Sequence, residues 1–237
     1  METDRNARRV VVTGMGVIAP NGQTVPEFWS SLREGRSGIR PIEHVGPAHL
    51  RENVTVPVAG QIRGFDYKAR LAHVHRDKIL LHSERYSWLA AAAAHEAITQ
   101  SGLALPLSNP ERVAVVVGSA LGGQSTVETA SRDHFLSRMK ATHPLVLVRL
   151  LASSAAAHLG IEYGAKGPVL GMCSACASAD HAIILGRDYI REGLVDIAIV
   201  GGTESAINYG IVLAMQSLGV LTKDTCRPFS ANRTGTA

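Results

Sequence analysis

Two of the three cysteines in the sequence, Cys173 and Cys176, stand in a C-x-x-C spacing within GPVLGMCSACASADHAI (residues 167–183). This spacing suits a thioredoxin-like redox pair, one half of a zinc site, or a single nucleophile with an inert neighbour. A zinc site needs about four ligands, and Cys226 alone cannot complete a cysteine-rich set. A redox pair exposes its first cysteine at a helix N-terminus, whereas Cys173 ends a predicted strand. We therefore predict neither a metal site nor a redox pair.

Cys176 stands among small residues, where the predicted strand turns into the following helix. Free backbone N–H groups and the helix dipole at such a point stabilise a thiolate and can hold the oxyanion of a tetrahedral intermediate. Cys176 is therefore the candidate nucleophile, and Cys173 is interpreted as a small apolar packing residue. On the residues alone, an inert buried thiol at position 176 explains the pattern equally well.

Two other patterns that could carry chemistry are interpreted as structural. The run GMGVIA (residues 14–19) matches the G-x-G-x-x-A dinucleotide pattern, but Pro-Asn-Gly follows at once instead of a helix, which indicates a tight turn. The histidines His73, His75 and His82 have no cysteine or acidic cluster at ligand spacing. They indicate a solvated basic segment rather than a metal site.

The elements that must position Cys176 are predicted as apolar strands separated by helices. The predicted strands are residues 9–14, 113–118, 169–172 and 196–202, with a further one within 54–62, and the predicted helices are residues 29–35, 83–100, 145–159 and 177–191. Strands without polar alternation indicate a parallel sheet covered on both faces, and hence an α/β fold.

Length and composition bound the class of protein. A chain of 237 residues with 46% hydrophobic and 19% charged residues is typical of a folded globule. The sequence has no apolar run of the roughly 18 residues of a membrane span and no signal-peptide pattern, so we expect no membrane partner and a cytoplasmic location. The net charge of +4 allows an acidic partner. Because aromatic residues are not interleaved with the basic ones, no nucleic acid is expected.

The run S-A-C-A-S (residues 174–178) resembles the active-site cysteine signature of the β-ketoacyl-[acyl-carrier-protein] synthases, the elongating condensing enzymes of fatty-acid and polyketide synthesis. Further stretches are similar to that family's landmarks in the same order: RRVVVTGMGVIAPNG (8–22), FWSSLREGRSGI (28–39), GSALGG (118–123), HLGIEYGAKGP (158–168), DIAIVGGTES (196–205) and CRPFSANRTG (226–235). The resemblance extends over essentially the whole chain.

The resemblance implies a thiolase-like αβαβα layered fold, of which residues 1–237 are expected to be the N-terminal ketosynthase domain only. It also implies an acyltransferase reaction, the decarboxylating Claisen condensation of an acyl-enzyme thioester with malonyl-carrier. The expected partners are an acidic acyl carrier protein carrying phosphopantetheine thioesters and a second subunit, in a homodimer or a ketosynthase heterodimer. No cofactor is expected.

Carried onto this sequence, the resemblance makes Cys176 the nucleophile, with its own backbone N–H contributing to the oxyanion hole. Leu121 matches a pocket position that limits acyl length. Met215 matches an aromatic residue beside the cysteine in bacterial relatives. Val146 and Leu147 match residues that reach the pocket of the partner subunit.

The sequence departs from the family pattern after C-R-P-F, where Ser230 replaces an acidic residue and Thr234–Ala237 stand in place of an R-D-G-F-V run. The family's two catalytic histidines, its lysine and the other oxyanion N–H are expected beyond Ala237. A truncated non-catalytic homologue that binds acyl chains or partners a complete ketosynthase is therefore the alternative. Cys176 favours the enzyme, because the family's chain-length partner subunits generally lack this cysteine.

Overall fold

The computed structural model describes residues 8–43, 45, 52–72, 74, 83–136 and 142–237. The chain forms two compact units, one comprising the residues up to Gly16 with Asp66–Ser205, the other comprising Val17–Phe65 with Ala206–Ala237. The histidines of the predicted basic segment, His73, His75 and His82, lie outside the described residues.

In chain order the helices and strands are α1 (Val25–Arg33), β1 (Arg40–Pro41), β2 (Val58–Ala59), α2 (Tyr67–Arg70), α3 (Arg85–Ser101), β3 (Val113–Gly118), α4 (Gln124–Leu136), α5 (Val146–Leu150), α6 (Ser154–Tyr163), β4 (Val169–Met172), α7 (Ser178–Arg191), β5 (Ile197–Gly202) and α8 (Tyr209–Ser217). The predicted strands at 113–118 and 169–172 are confirmed as β3 and β4, and β5 begins one residue after its predicted start.

A parallel three-stranded sheet lies at the centre of the first unit, in the spatial order β4-β3-β5. Val115 of β3 stands opposite Val169, and Val113 stands opposite Ile197. Every residue of β3 is buried, so both faces of this β-branched strand are covered. The predicted parallel sheet is confirmed.

Helices cover this sheet. α6 packs against β3, β4 and α3, and α7 packs against all three strands. α3 and α6 each end at a glycine in the left-handed conformation, Gly102 and Gly164, both with φ 68°. This conformation is favoured at helix C-termini and is easiest for glycine. The predicted stop of the long helix at Gly102 is thereby confirmed.

The second unit contains one antiparallel strand pair and a buried threonine near its C-terminus. β1 and β2 pair over two residues each. Thr222 is fully buried, and its hydroxyl donates a hydrogen bond to Asp224 Oδ1 at 2.7 Å. This bond and the Arg227 guanidinium hold the pKa of the Asp224 carboxyl far below its usual range. These contacts fix the turn that precedes the last residues of the chain.

The predicted strand at residues 9–14 is wrong. The segment pairs with no described strand, and Val11 and Val12 are 60% and 80% exposed. It instead lies against α3, because a Cβ on Gly14 would stand 1.9 Å from the Ala97 carbonyl oxygen, and one on Gly16 would stand 1.8 Å from that of Ala93. No helix follows these glycines before α1. The pattern at 14–19 therefore serves close packing, as its interpretation as structural predicts.

The predicted helix at 145–159 is two helices, α5 and α6, separated by an extended residue, Leu151. Tyr86 donates a hydrogen bond from its hydroxyl to the Leu151 carbonyl oxygen at 2.5 Å, and Ser154 donates one to Val148. These side chains from α3 and α6 replace the helical hydrogen bonds at the break. The sequence around the break contains no Pro or Gly that would have predicted it. The predicted helix at 29–35 also begins earlier, after Thr24, whose Oγ1 caps α1.

Candidate active site

The candidate nucleophile lies in a tight turn between β4 and α7. Cys173 directly follows β4, and α7 begins at Ser178. Within the turn Ala175 has a φ of 53°, in the left-handed region that costs a residue with a Cβ about 1 kcal/mol. Cys176 itself is exposed, so the thiol at this position is not buried, and its role as the nucleophile stays a prediction.

The hydroxyl of Ser178 holds this turn closed. Its Oγ accepts a hydrogen bond from the Ser174 N–H at 2.9 Å and donates one to the Ala175 carbonyl oxygen at 2.6 Å. Ser178 is 4% exposed, so both bonds form away from bulk water, where they are stronger. From the sequence Ser178 is predicted only as a small neighbour of the cysteine, although serine at a helix start commonly binds nearby backbone groups.

A serine and a histidine join the turn to the body of α7. Ser174 Oγ and His181 Nδ1 are 2.6 Å apart. The His181 backbone N–H donates to the Ala177 carbonyl oxygen at 3.0 Å, so its backbone belongs to the first hydrogen-bonded turn of the helix. The side-chain contact therefore ties the residue two positions before Cys176 to α7, a contact that the sequence prediction does not contain.

Glycines set α7 close against the carboxyl ends of the strands. A Cβ on Gly118, the last residue of β3, would stand 2.4 Å from the Ser178 carbonyl carbon. A Cβ on Gly202, the last residue of β5, would stand 2.5 Å from the Ala179 Cβ. Cys176 consequently lies at the carboxyl edge of the sheet, where parallel α/β sheets bind their ligands.

The N-terminus of α7 sets the electrostatic surroundings of Cys176. The helix has 14 residues, and its N-cap, Ala177, has no side chain that could satisfy the first backbone N–H groups. These groups and the positive end of the helix dipole favour negative charge, partly offset by Asp180 in the first turn. The arrangement suits the oxyanion that forms when a nucleophile in this turn attacks a carbonyl group.

Glu204 holds the loop of Leu121 in place through hydrogen bonds, and the sequence analysis does not predict this role. Glu204 Oε2 accepts hydrogen bonds from the backbone N–H groups of Ala120 and Leu121 at 3.0 Å each, and from the Ser119 hydroxyl at 3.4 Å. Cys173, interpreted from the sequence as an apolar packing residue, is instead exposed and donates from Sγ to the Ala120 carbonyl oxygen at 3.5 Å. The Leu121 loop therefore borders the turn that carries the candidate nucleophile. The sequence signal that could have identified Glu204 is an acidic residue just after an apolar strand, at the carboxyl edge of the sheet.

The other predicted pocket residues lie on helices. Val146 and Leu147 form the start of α5, and Leu147 is 70% exposed. Val146 helps to line a cavity of about 410 Å³ bordered by α4 and α5. Met215 lies on α8, in the second unit. The pocket roles of these three residues and of Leu121 stay predictions.

The same cavity contains a buried carboxylate, Glu84, which is 8% exposed. Its Oε2 accepts the Thr126 N–H at 3.1 Å, whereas its Oε1 has no hydrogen-bond partner among the described residues. Burial raises the pKa of Glu84 above its ordinary value, against the opposing hydrogen bonds from Thr126 and Ser125. Glu84 directly precedes α3, and the sequence pattern gives no sign of its burial.

Within the described ranges, no three His, Cys, Asp or Glu side chains converge where a metal ion could be held. Across the same residues, no helix combines the length and the apolar character needed to cross a bilayer. Cys173, Cys176 and Cys226 are all free thiols.

Known proteins resemble this chain along almost its whole length. The sequence matches the family described as beta-ketoacyl synthase, N-terminal domain, over residues 7–237. It is 36% identical over 228 residues to nodulation protein E of Rhizobium leguminosarum bv. trifolii. The aligned region covers 96% of this chain and 55% of that protein. The chain thus spans about half the length of such a relative.

Solved structures show the same correspondence. The ishigamide ketosynthase/chain length factor matches with a TM-score of 0.86 and 29% identity, over 96% of this chain and 55% of that chain. A second structure is AntDE:AntF, a type II PKS acyl-carrier protein in complex with its ketosynthase bound to the hexaketide. It matches with a TM-score of 0.78 and 27% identity, again over 96% and 55% of the two chains.

Proposed function

The chain belongs to the β-ketoacyl synthase family and has its thiolase-like α/β fold, and from this premise we propose that it carries the acyl-accepting half of a 3-oxoacyl-[acyl-carrier-protein] synthase. The proposed substrate is an acyl group presented as a thioester on a carrier protein. The proposed overall reaction is the decarboxylating condensation of that acyl group with malonyl-carrier, in fatty-acid or polyketide synthesis.

The observation that carries the proposal is the exposed Cys176 on a strained turn directly before α7. The thiolate of Cys176 attacks the carbonyl carbon of the acyl thioester, and the backbone N–H groups at this helix end favour the negative oxygen that forms. The bond to the carrier sulfur then breaks, and the phosphopantetheine thiolate leaves and takes up a proton. The product is an acyl-enzyme thioester on Cys176.

The second step needs groups that the family resemblance assigns to residues beyond this chain. Malonyl-carrier loses carbon dioxide, and the resulting carbanion attacks the acyl-enzyme carbonyl carbon, releasing the Cys176 thiolate. Donors must stabilise the intermediate enolate. The proposed activity therefore belongs to a protein in which this chain is joined to the remaining half of a ketosynthase.

The proposed partners are an acidic acyl carrier protein and a second ketosynthase-type subunit, identical or different, in the cytoplasm. The AntDE:AntF structure, in which a type II PKS acyl-carrier protein is in complex with its ketosynthase, supports the first partner. The ishigamide match, a ketosynthase with a chain length factor, supports a heterodimer. The net charge of +4 favours association with an acidic carrier.

The proposal is tested by incubating the 237-residue chain with an octanoyl-pantetheine thioester and measuring its mass and its peptides. We expect one octanoyl group per chain, located on Cys176. Cys176→Ser should abolish the adduct, and Cys173→Ser is the matched control that should retain it. Acylation of Cys173, or no adduct on a chain whose circular dichroism shows it to be folded, would favour the alternative of a non-catalytic homologue.

A further inference from the structure

The turn that carries Cys176 is restrained by two separate sets of hydrogen bonds. The Ser178 hydroxyl restrains the backbone, through the Ser174 N–H and the Ala175 carbonyl oxygen. The Ser174 hydroxyl adds a second restraint, through its 2.6 Å contact with His181 Nδ1. Residues 174 and 181 therefore span the nucleophile position, one before it in the chain and one after.

We propose that Ser174 and His181 form a positioning pair that fixes the turn of Cys176 and thereby sets the rate at which its thiolate attacks an acyl thioester. Neither residue is assigned a contact with substrate, so both act through Cys176. The proposal rests on the proposed function, which makes Cys176 the acyl acceptor.

The conformation of the turn explains why such a pair is needed. Ala175 adopts a left-handed φ of 53° directly before Cys176, a conformation that is unfavourable for a residue with a Cβ. A strained conformation persists only where its surroundings over-determine it. Without the His181 contact, the Ser178 bonds would remain, but the Ser174 side chain would lose the partner that joins it to α7.

The chemistry of the pair is compatible with either direction of donation. A neutral imidazole accepts the Ser174 hydroxyl proton at Nδ1 or donates an N–H from Nδ1 to the serine oxygen, depending on its tautomer. Asparagine places an amide atom near the position of Nδ1, whereas alanine places none. His181→Asn is therefore the conservative variant and His181→Ala the disruptive one.

The experiment measures the rate of Cys176 acylation by octanoyl-pantetheine, with iodoacetamide alkylation of Cys176 and Cys226 measured in parallel. We expect His181→Ala and Ser174→Ala each to slow acylation about tenfold, because small misplacements of a reacting atom have effects of this order. His181→Asn should recover most of the rate. The double alanine variant should be no slower than either single one, as residues acting as a unit behave.

Arg187→Ala, an exposed position further along α7, is the matched control and should retain the wild-type rate. The alkylation rate of Cys226 reports on general loosening and should stay constant in every variant. Wild-type acylation in His181→Ala, no recovery in His181→Asn, or multiplied losses in the double variant would each overturn the proposal. If His181→Ala fails to fold, Ser174→Ala, which removes a single hydroxyl, carries the test.

Failure of the proposed function has a different signature. If the wild-type chain takes up no octanoyl group, Cys176 is not the acyl acceptor. The iodoacetamide rates at Cys176 then still show whether His181 and Ser174 position this thiol.

Discussion

Two thiols three positions apart in the chain have different surroundings. Cys173 donates a hydrogen bond from Sγ to the Ala120 carbonyl oxygen. Cys176 is exposed in the turn directly before α7, the place that the proposed function gives to the nucleophile. Cys226 is half-buried. We therefore expect limited iodoacetamide treatment to label Cys176 before the other two.

Peptide mapping after a short treatment at neutral pH measures this order of labelling. Cys173→Ser should leave the fast-reacting site intact, and Cys176→Ser should remove it. Preferential labelling of Cys173 would reverse the roles assigned to the two thiols.

A single side chain on the neighbouring loop is predicted to set acyl length. The backbone of Leu121 is held by Glu204, so a change at this side chain should alter the pocket without moving the loop. In a complete synthase, Leu121→Ala should raise the ratio of longer to shorter products severalfold, because each buried methylene is worth about 0.8 kcal/mol. Product analysis by mass spectrometry measures the shift. Leu194→Ala, at an exposed position, is the control, and an unchanged profile in Leu121→Ala would exclude Leu121 from the pocket.

At the scale of elements, the contact between β3 and α7 depends on the absence of one methyl group. A Cβ on Gly118 would stand 2.4 Å from backbone atoms of Ser178, which cannot yield as a flexible side chain would. We expect Gly118→Ala to lower the free energy of unfolding by about 1–3 kcal/mol or more and to slow acylation of Cys176.

Gly201→Ala is the matched control for this substitution. Gly201 lies on the neighbouring strand β5, and a Cβ there would meet no atom within 4 Å. Urea unfolding should show a change of at most about 0.5 kcal/mol for this variant. Equal losses of stability in the two variants would mean that the close approach of β3 and α7 is not the reason why position 118 requires glycine.

α6 contains a buried histidine, His158, with consequences for stability in acid. Burial lowers the pKa of His158 from 6.5 to about 4. Between pH 6.5 and pH 4, His158 is therefore protonated in the unfolded chain but neutral in the folded chain. The contribution of His158 to stability is complete above pH 6.5, decreases as the pH falls towards 4, and does not change further below that. A shift of this size corresponds to about 3 kcal/mol of unfolding free energy. Urea unfolding at pH 7.5 and pH 5 should show the loss in the wild type and a smaller one in His158→Leu.

If His158→Leu loses as much stability as the wild type on acidification, His158 does not account for the acid sensitivity. Other buried groups would then have to be responsible.

The elements near the site were predictable where a local pattern is enough to define the element. β3 and β4 are short apolar runs that end at a turn, and α3 ends at a glycine, so sequence and structure agree. The segment 9–14 has the same β-branched composition but no described ladder partner, and composition cannot reveal whether a partner edge exists. The break between α5 and α6 depends on the Tyr86 hydroxyl, which lies 65 positions away from Leu151.

The site shows the same division. The place of Cys176 between β4 and α7 was predictable, because small residues at a strand-to-helix transition are a local pattern, whereas its catalytic role stays a prediction. The Glu204 contact with Ala120 joins residues 84 positions apart, and no local pattern announces it. The Ser174–His181 contact is closer in sequence, but it forms only because Ala175 adopts a left-handed conformation. Alanine rarely does so, and propensity therefore argues against the observed turn.

At the scale of the whole molecule, the proposed function predicts that this chain carries out acyl transfer but not decarboxylation. The 237-residue chain should form the acyl thioester on Cys176 but should not release carbon dioxide from malonyl-carrier. Transthioesterification needs chiefly a thiolate and a place for the acyl chain, whereas decarboxylation needs donors for the enolate, which the family resemblance assigns elsewhere. Radiolabelled carbon dioxide release measures the second step. Turnover by this chain alone would mean that one of its own histidines has taken over that role.

The order of the strands along the chain determines when the sheet can form during synthesis. β3 lies at the centre of the sheet, yet both of its partners, β4 from Val169 and β5 from Ile197, follow it in the sequence. At roughly 5–20 residues per second, the ribosome takes several seconds to make the first partner after β3 is complete. Throughout that interval VAVVVG is an unpaired, uncharged, β-branched segment of the kind that aggregates. Nascent chains of this protein are therefore most vulnerable before residue 172 is translated, however stable the finished sheet may become.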